Sequence, residues 1–275
     1  MQVLCNHNTG AKLSKRYLET SGATRQSEYS LSIKKAYTVF SITIDNYNLY
    51  LLLSDEYNVP NFFPAELFSI TDASIPDDWQ FTAYPDDEEY LLKASWGYEY
   101  LIQNESHLDN LAEREPEDLA IFAGEKERRL KETKKQTDKK NLLSLRVTCK
   151  NNTAEGLSQQ YLSSSGDTSE TKYAISINKE YPVFAMCVSK NNIQVLLVDE
   201  NQMPSWFPVE LFSITNPTLP AEWFFSAYTK EDAALQAIFG YEHIVKDAFH
   251  YKSLLERDET ALRIFQKEKF RRMGT

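Results

Sequence analysis

The feature that most constrains this chain is a repeat. The stretch Pro60-Asn-Phe-Phe-Pro-Ala-Glu-Leu-Phe-Ser-Ile-Thr71 returns 144 residues later as Pro204-Ser-Trp-Phe-Pro-Val-Glu-Leu-Phe-Ser-Ile-Thr215. Residues 3–87 align with 147–231 without a gap, and 37 of the 85 pairs are identical. One residue is then lost, and Gly97-Tyr-Glu99 matches Gly240-Tyr-Glu242 at an offset of 143. That register holds to Arg128-Arg129 against Arg271-Arg272. Self-similarity on this scale means one module used twice. The expected division is a first copy over 1–124, a basic helical linker or helix extension over 125–143, and a second copy over 144–275. A chain of 275 residues gives each copy enough length to bury a core of its own.

Within a copy the hydrophobic period changes from two to about 3.6. Tyr29, Leu31 and Ile33, like Tyr173, Ile175 and Ile177, alternate as in a half-buried strand. A second alternation, Tyr37 and Val39, switches phase to Phe40, Ile42 and Ile44, and the second copy switches at the same place. The switch predicts a β-bulge or sharp bend at 39–40 and 183–184. Leu49–Leu53 and Ile193–Val198 read as strands buried on both faces. Trp79-Gln-Phe81 and Trp223-Phe-Phe225 read as the last strand of each copy. Thr229-Lys-Glu-Asp232 then resembles a capping box opening a helix to Phe239. Further helices are expected around Asp247–Arg257, along Ala261, Ile264 and Phe265, and from Pro116, where Glu117 and Asp118 follow in the first turn. The expected class is α+β, each copy a small bent antiparallel sheet or SH3-like barrel followed by two to three helices.

Charge is uneven. Residues 1–124 hold 8 Lys+Arg against 20 Asp+Glu, a net −12, whereas 125–140 carry +4 and 141–275 carry −2. An acidic first copy repels phosphate backbones and attracts basic proteins. The pairs Glu125/Arg129 and Glu127/Lys131 make the basic stretch a solvated helix extension more readily than a nucleic-acid contact. No apolar run reaches membrane-spanning length, and Met1–Asn8 has neither a basic start nor an apolar core, so the cytoplasm is the expected compartment. Cys5, Cys149 and Cys187 lack disulfide or zinc spacing and are expected to be small core residues.

Motifs of catalysis are missing. The chain has 8 Gly and no glycine-rich phosphate loop, and GxSxG, HExxH and CxxC are absent. His107 and His250 occupy equivalent positions, with no retained Asp, Cys or His one turn away, so a packing role is expected. Asp55-Glu56 and Asp199-Glu200 are carboxylate pairs kept in both copies. Such pairs bind a divalent ion or exchange a proton, but they also end a strand and cap the next turn, the reading favoured here. The acidic run Asp86, Asp87, Glu88 and Glu89 is only partly kept as Lys230-Glu-Asp-Ala233. Together with Asp77 and Asp78 it supplies partner-binding candidates. In the Pro-aromatic stretch, Phe63, Leu67, Phe68, Ile70 and Trp79 are expected in the core. Phe62 and Trp206, which differ between copies yet stay aromatic, are the candidates for partial exposure and partner contact. No catalytic residue, metal ligand or cofactor is expected.

The order aromatic-Pro-x-Glu-Leu-Phe, Pro-x-x-Trp, Gly-Tyr-Glu and Leu-x-Glu-Arg resembles short bacterial proteins encoded beside polymorphic toxins and taken to be immunity proteins. The resemblance implies a non-catalytic protein that binds and neutralises a toxin. The acidic first copy fits a basic protein as that partner and weighs against nucleic acid, and the lack of a spanning run weighs against a membrane. An RNA-binding small barrel, disfavoured by the charge of the first copy, and an enzyme with an unrecognised site lined by Asp55, Glu56 and His107 are the alternatives. If single-copy relatives dimerise, the two copies are expected to pack as an intramolecular pseudo-dimer.

Overall fold

A computed structural model describes residues 1–45, 47–84, 92–132, 145–189, 192–228, 235–247 and 249–273. They fold into two compact α+β units, the first within residues 1–132 and the second within 145–273.

The first unit begins with strand β1 (Gln2–Cys5) and a short helix α1 (Lys15–Ser21), followed by β2 (Ala36–Thr38), β3 (Ser41–Asp45), β4 (Leu49–Ser54) and β5 (Pro60–Pro64). Then come β6 (Phe68–Asp72), β7 (Gln80–Ala83) and β8 (Leu92–Gly97), and three helices, α2 (Glu99–Gln103), α3 (His107–Glu113) and α4 (Pro116–Glu132). The strands form two antiparallel sheets, one of order β2-β1-β6 and one of order β5-β4-β3-β8-β7.

The second unit has the same order of elements. These are β9 (Arg146–Cys149), α5 (Gln159–Ser165), β10 (Glu180–Pro182), β11 (Ala185–Ser189), β12 (Asn192–Val198) and β13 (Pro204–Pro208). They continue with β14 (Phe212–Asn216), β15 (Trp223–Ala227), β16 (Leu235–Tyr241), α6 (Glu242–Lys246), α7 (His250–Leu255) and α8 (Glu259–Met273). Its sheets are β10-β9-β14 and β13-β12-β11-β16-β15. Among the described residues no helix is long and apolar enough to cross a membrane.

These sheets stay open, so the expected SH3-like barrel is not what the described strands build. The phase switch at 39–40 explains why. Val39 donates to the Met1 carbonyl beside β1, while the next residue, Phe40, donates to the Leu52 carbonyl in β4. Val183 and Phe184 repeat this with Leu145 and Leu196. The predicted bulge is therefore a passage from one sheet to the other. Register shifts within the large sheets fall further along, at Ile44/Asp45 and Val188/Ser189.

The Pro-aromatic stretch makes a second passage. Pro60–Pro64 is the edge strand of the large sheet, a single 3-10 turn covers Ala65–Leu67, and Phe68 onward joins the small sheet. An edge position suits prolines, which have no N–H for a second neighbour. Glu66 in that turn reaches helix α1, where it accepts from the Ser14 N–H at 2.6 Å and the Ser14 hydroxyl at 2.7 Å. Ser14 in turn caps the helix by accepting from the Tyr17 N–H, and Gly22 ends it at φ 72°. Ser158, Glu210 and Gly166 repeat the arrangement. Ser14→Ala removes the cap and one bond to Glu66. It is expected to lower the stability of the first unit by about 1 kcal/mol in urea unfolding, with Ser158→Ala matching it in the second.

Three further expectations change. Tyr29–Ile33 is not a strand: Tyr29 donates to the Asn8 carbonyl, Ser32 to the Tyr37 hydroxyl, and Lys34 turns at φ 66°. Only Leu31 of the three alternating residues is buried, and Ile33 is exposed. Trp79–Phe81 is not the last strand, because β8 and β16 follow and insert beside β3 and β11. The helix expected to reach Phe239 is instead strand β16 over its described part, and residues 229–234 lie outside the described residues. Ala237, Ile238 and Phe239 are consecutive and fully buried, which a strand covered on both faces demands and a one-sided helix does not.

Packing follows the strand alternation. Leu51, Leu52 and Leu53 are all buried. Leu52 joins Phe40, Tyr98, Leu101, Leu111 and Phe122 in the core under the helices, and its neighbours face the other side. Helix α4 begins at Pro116 with Glu117 and Asp118 in its first turn, as predicted, and Phe122 meets Phe40 edge-on at 4.9 Å. In α8, Ala261 and Phe265 are buried as expected. Helix α7 instead buries His250 and Leu254, leaving Leu255 exposed. Cys5, Cys149 and Cys187 are free and buried.

Candidate functional site

The carboxylate pairs are taken up by turns. Asp55 is buried and accepts four hydrogen bonds, from the N–H groups of Tyr57 (2.8 Å) and Val59 (2.9 Å), the Ser30 hydroxyl (2.8 Å) and the Asn61 amide (2.8 Å). Asp199 accepts from the N–H groups of Asn201 and Met203 and from Ser205. The neighbouring glutamates face outward. Glu56 takes the Tyr37 hydroxyl and the Lys35 ammonium (2.9 Å), which hold its carboxyl below the usual range. Glu200 does the same with Tyr181 and Lys179 and is pushed down to about 2. Each pair thus closes the β4–β5 or β12–β13 turn and ties it to the preceding loop.

Asp78 is held within the unit by both arginines at the end of α4, with Arg129 Nη2 at 2.5 Å from its Oδ1. Glu125 completes the cluster by accepting from Arg128 Nε (2.9 Å) and Arg129 Nε (2.7 Å). In the second unit Glu222, Glu268, Arg271 and Arg272 form the counterpart, and Arg272 lies 5.9 Å from the Trp223 ring centre. The cluster fastens the helix to the segment that opens β7 or β15. It was readable as the retained pair Arg128-Arg129, whose partners only the fold supplies. The Glu127–Lys131 pair stands on the helix surface as predicted, whereas Glu125 and Arg129, expected on the same solvated face, are largely buried in this cluster. Asp77 is half-buried beside Asp78, and Asp86, Asp87, Glu88 and Glu89 lie outside the described residues.

His107 and His250 are buried packing residues, but they are bonded in a way the sequence did not disclose. His107 Nε2 sits 2.6 Å from the Tyr98 hydroxyl, and its Nδ1 faces Asp118 Oδ1. Asn110 donates to the other oxygen of Asp118 at 2.9 Å. The second unit keeps the Tyr241–His250 bond at 2.7 Å but has Ala261 where Asp118 stands. His250 meets the His243 ring at 4.7 Å, where His107 meets Tyr100 at 4.9 Å, and burial, then the His243 charge, pushes it down to about 4. Burial also raises the hydroxyls of Tyr98 and Tyr241. No hydrogen bond links Asp55, Glu56 and His107, and no group of three His, Cys, Asp or Glu suited to a metal occurs among the described residues.

Position 62/206 lies on the edge strand, under α3 or α7. Phe62 packs against the core of the first unit. Trp206 lies 5.2 Å from Tyr251 and lines a cavity of about 530 Å³. Arg114 and Arg257 fasten this strand to the helices by donating to the carbonyls of Pro60 (3.0 Å) and Pro204. Both adopt left-handed backbone, at φ 68° and 59°, where glycine is the easier residue. The side-chain contact accounts for arginine there, and Leu-x-Glu-Arg was its mark in the sequence.

No family model, curated protein or solved structure matches this chain. Its chemistry therefore rests on its own surfaces, and the charge of the first unit is the most distinctive of them. Glu99, Glu105, Asp109, Glu113, Glu115 and Glu117 are all exposed on α2, α3, the loops beside them and the head of α4. Between residues 99 and 118 the single Lys or Arg is Arg114, whose guanidinium is bonded to Pro60 and Asn61 on β5. In the second unit the equivalent stretch carries Lys246 and Lys252, paired with Glu242 (2.5 Å) and Glu256 (3.5 Å).

Proposed function

We propose that this chain is a non-catalytic binding protein of the immunity type, which holds a basic protein partner on the acidic helical surface of its first unit. The observation that supports this is the run of exposed carboxylates from Glu99 to Glu117, a stretch in which Arg114 is the single Lys or Arg. Like charges this close repel one another, so a cationic surface laid over them gains both attraction and relief of that repulsion. The second unit, where lysines pair with the acids, is the weaker electrostatic surface.

Glu105→Lys, Glu113→Lys and Glu117→Lys, combined in one variant, change exposed side chains and leave the core intact. Wild type and variant are used as bait in the native host, with bound proteins identified by mass spectrometry across a salt series. A basic protein is expected on the wild type, weakened as salt rises and lost at least tenfold in the variant. Equal capture by the variant, or binding indifferent to salt, overturns the proposal. Capture of RNA in place of protein would favour a nucleic-acid-binding reading.

A further inference from the structure

The second unit contains a cavity of about 530 Å³ between the end of α5, strands β12 and β13, and α7, within the usual size of a small-molecule site. Its wall combines aromatic rings with neutral hydrogen-bonding groups. Trp206 and Tyr251, with ring centres 5.2 Å apart and planes at 56°, form one side, and Tyr161 lines it too. Ser165, Asn192 and Gln194 line it with hydroxyl and amide groups that are partly engaged in the chain. Asn192 Nδ2 donates to Ser164 Oγ at 2.5 Å, the Ser165 hydroxyl accepts from the Asp167 N–H at 3.0 Å, and Gln194 Oε1 accepts from Cys187 Sγ. This leaves the Ser165 O–H and the Asn192 Oδ1 for a ligand. The two charges in the wall already have partners. Asp167 accepts from the Tyr173 hydroxyl at 2.9 Å, and Arg257 donates to the Pro204 carbonyl and to Ser205 at 3.0 Å.

The same place in the first unit serves as an internal comparison. Gln194 replaces Tyr50, whose ring lies 5.9 Å from Tyr17 and whose hydroxyl accepts from Asn48. Asp167 replaces Ala23, Trp206 replaces Phe62, and Tyr251 replaces Leu108. Each difference exchanges bulk for an amide, adds a polar group or enlarges the aromatic wall. Asp167 also serves the fold through its bond to Tyr173, and together the four changes give the second unit a more polar and more aromatic wall at this place.

The geometry points to a binding site for a neutral saccharide ring in the second unit, separate from the acidic surface of the first. A pyranose presents apolar C–H faces to aromatic rings and hydroxyls, each both donor and acceptor, to amides and serines. A charged ligand would meet wall charges that are already paired, and a hydrocarbon would leave the Ser165 O–H and the Asn192 Oδ1 without a partner.

Intrinsic fluorescence tests this on the full chain. Of the 4 Trp, Trp79, Trp96 and Trp223 are fully buried, so Trp206 is the indole placed to respond to a ligand. Glucose, galactose, mannose and N-acetylglucosamine are titrated, each as the free sugar and as its methyl glycoside. Glucosamine and glucose 6-phosphate serve as charged controls. A saturable change with at least one neutral sugar is expected. Response to the free sugar alone identifies a monosaccharide ligand, and response to the glycoside as well identifies the end of a glycan.

Gln194→Tyr, which restores the residue of the first unit, is expected to abolish binding with an unchanged unfolding midpoint. Asn192→Ala is expected to weaken it about tenfold in calorimetry. Silence from every neutral sugar, an equal response to the charged controls, or binding that survives Gln194→Tyr overturns the inference. None of these outcomes bears on the electrostatic capture of a protein by the first unit.

Discussion

Asp55→Ala is expected to destabilise the first unit by about 3 kcal/mol. Four donors converge on this buried carboxylate, two of them backbone N–H groups of the turn. Removing it leaves them without an acceptor, at about 1–3 kcal/mol for each group that water cannot reach. The site lies near the surface, so water repays part of that sum. Asp55→Asn separates this role from proton or metal chemistry. An asparagine oxygen still serves Tyr57 and Val59, and its amide faces the Ser30 hydroxyl, which can accept, while the Asn61 amide alone loses its acceptor. More than half of the lost stability should return with Asn. Asp199→Ala is expected to cost less, because three donors rather than four converge there. Urea unfolding followed by circular dichroism measures all three variants. Equal losses for Ala and Asn at position 55 would show that the hydrogen-bond account is wrong.

The second large effect is acid sensitivity of the second unit. His250 is buried, bonded to Tyr241, packed on His243, and titrates near 4 in the folded chain against 6.5 for a free histidine. Asp247 on the neighbouring turn opposes the shift, but too weakly to reverse it. As pH falls, the unfolded chain takes up this proton before the folded one. The stability contributed by the neutral histidine is therefore complete above pH 6.5 and falls by about 1.4 kcal/mol per pH unit as pH drops towards 4, a total of about 3 kcal/mol. Ala261→Asp, which copies the first unit, places a carboxylate beside the ring and is expected to flatten this slope. Unfolding midpoints from neutral pH down to 4.5 decide the matter, and parallel slopes for wild type and Ala261→Asp would refute it.

The sequence disclosed those elements whose periodicity or end signals are local. Pro116-Glu-Asp118 marks the start of α4, the leucine run of β4 marks a strand covered on both faces, and the repeated Asp-Glu pair marks a turn. It misled where two local signals disagree. Strand β16 follows a sequence that looks like a capping box, and its apolar core, Ala237-Ile-Phe239, is too short and uniform to display either period. Helices α1 and α5 are seven residues long and mostly polar, so only Ser14 and Ser158, with their glycine stops, betray them. Strand alternation gives the face of each side chain but not the neighbouring strand, which is why a division into two sheets looked like one curled sheet. His107 and Asp118 are eleven residues apart, and only the packing of the head of α4 against α3 brings them together. The cavity at Trp206 was half visible: its variable aromatic stood out, whereas Gln194 and Asp167 carry no mark until compared with Tyr50 and Ala23.

The two passages between sheets also govern how a unit comes apart. At Val39-Phe40, adjacent peptide groups are hydrogen-bonded into different sheets, and at Ala65–Leu67 a single turn separates them. No slack exists at either joint to let one sheet loosen while the other keeps its register. The small sheet, only three strands wide, is therefore expected to borrow the persistence of the five-stranded one, and amide exchange should show the pair opening as one cooperative block.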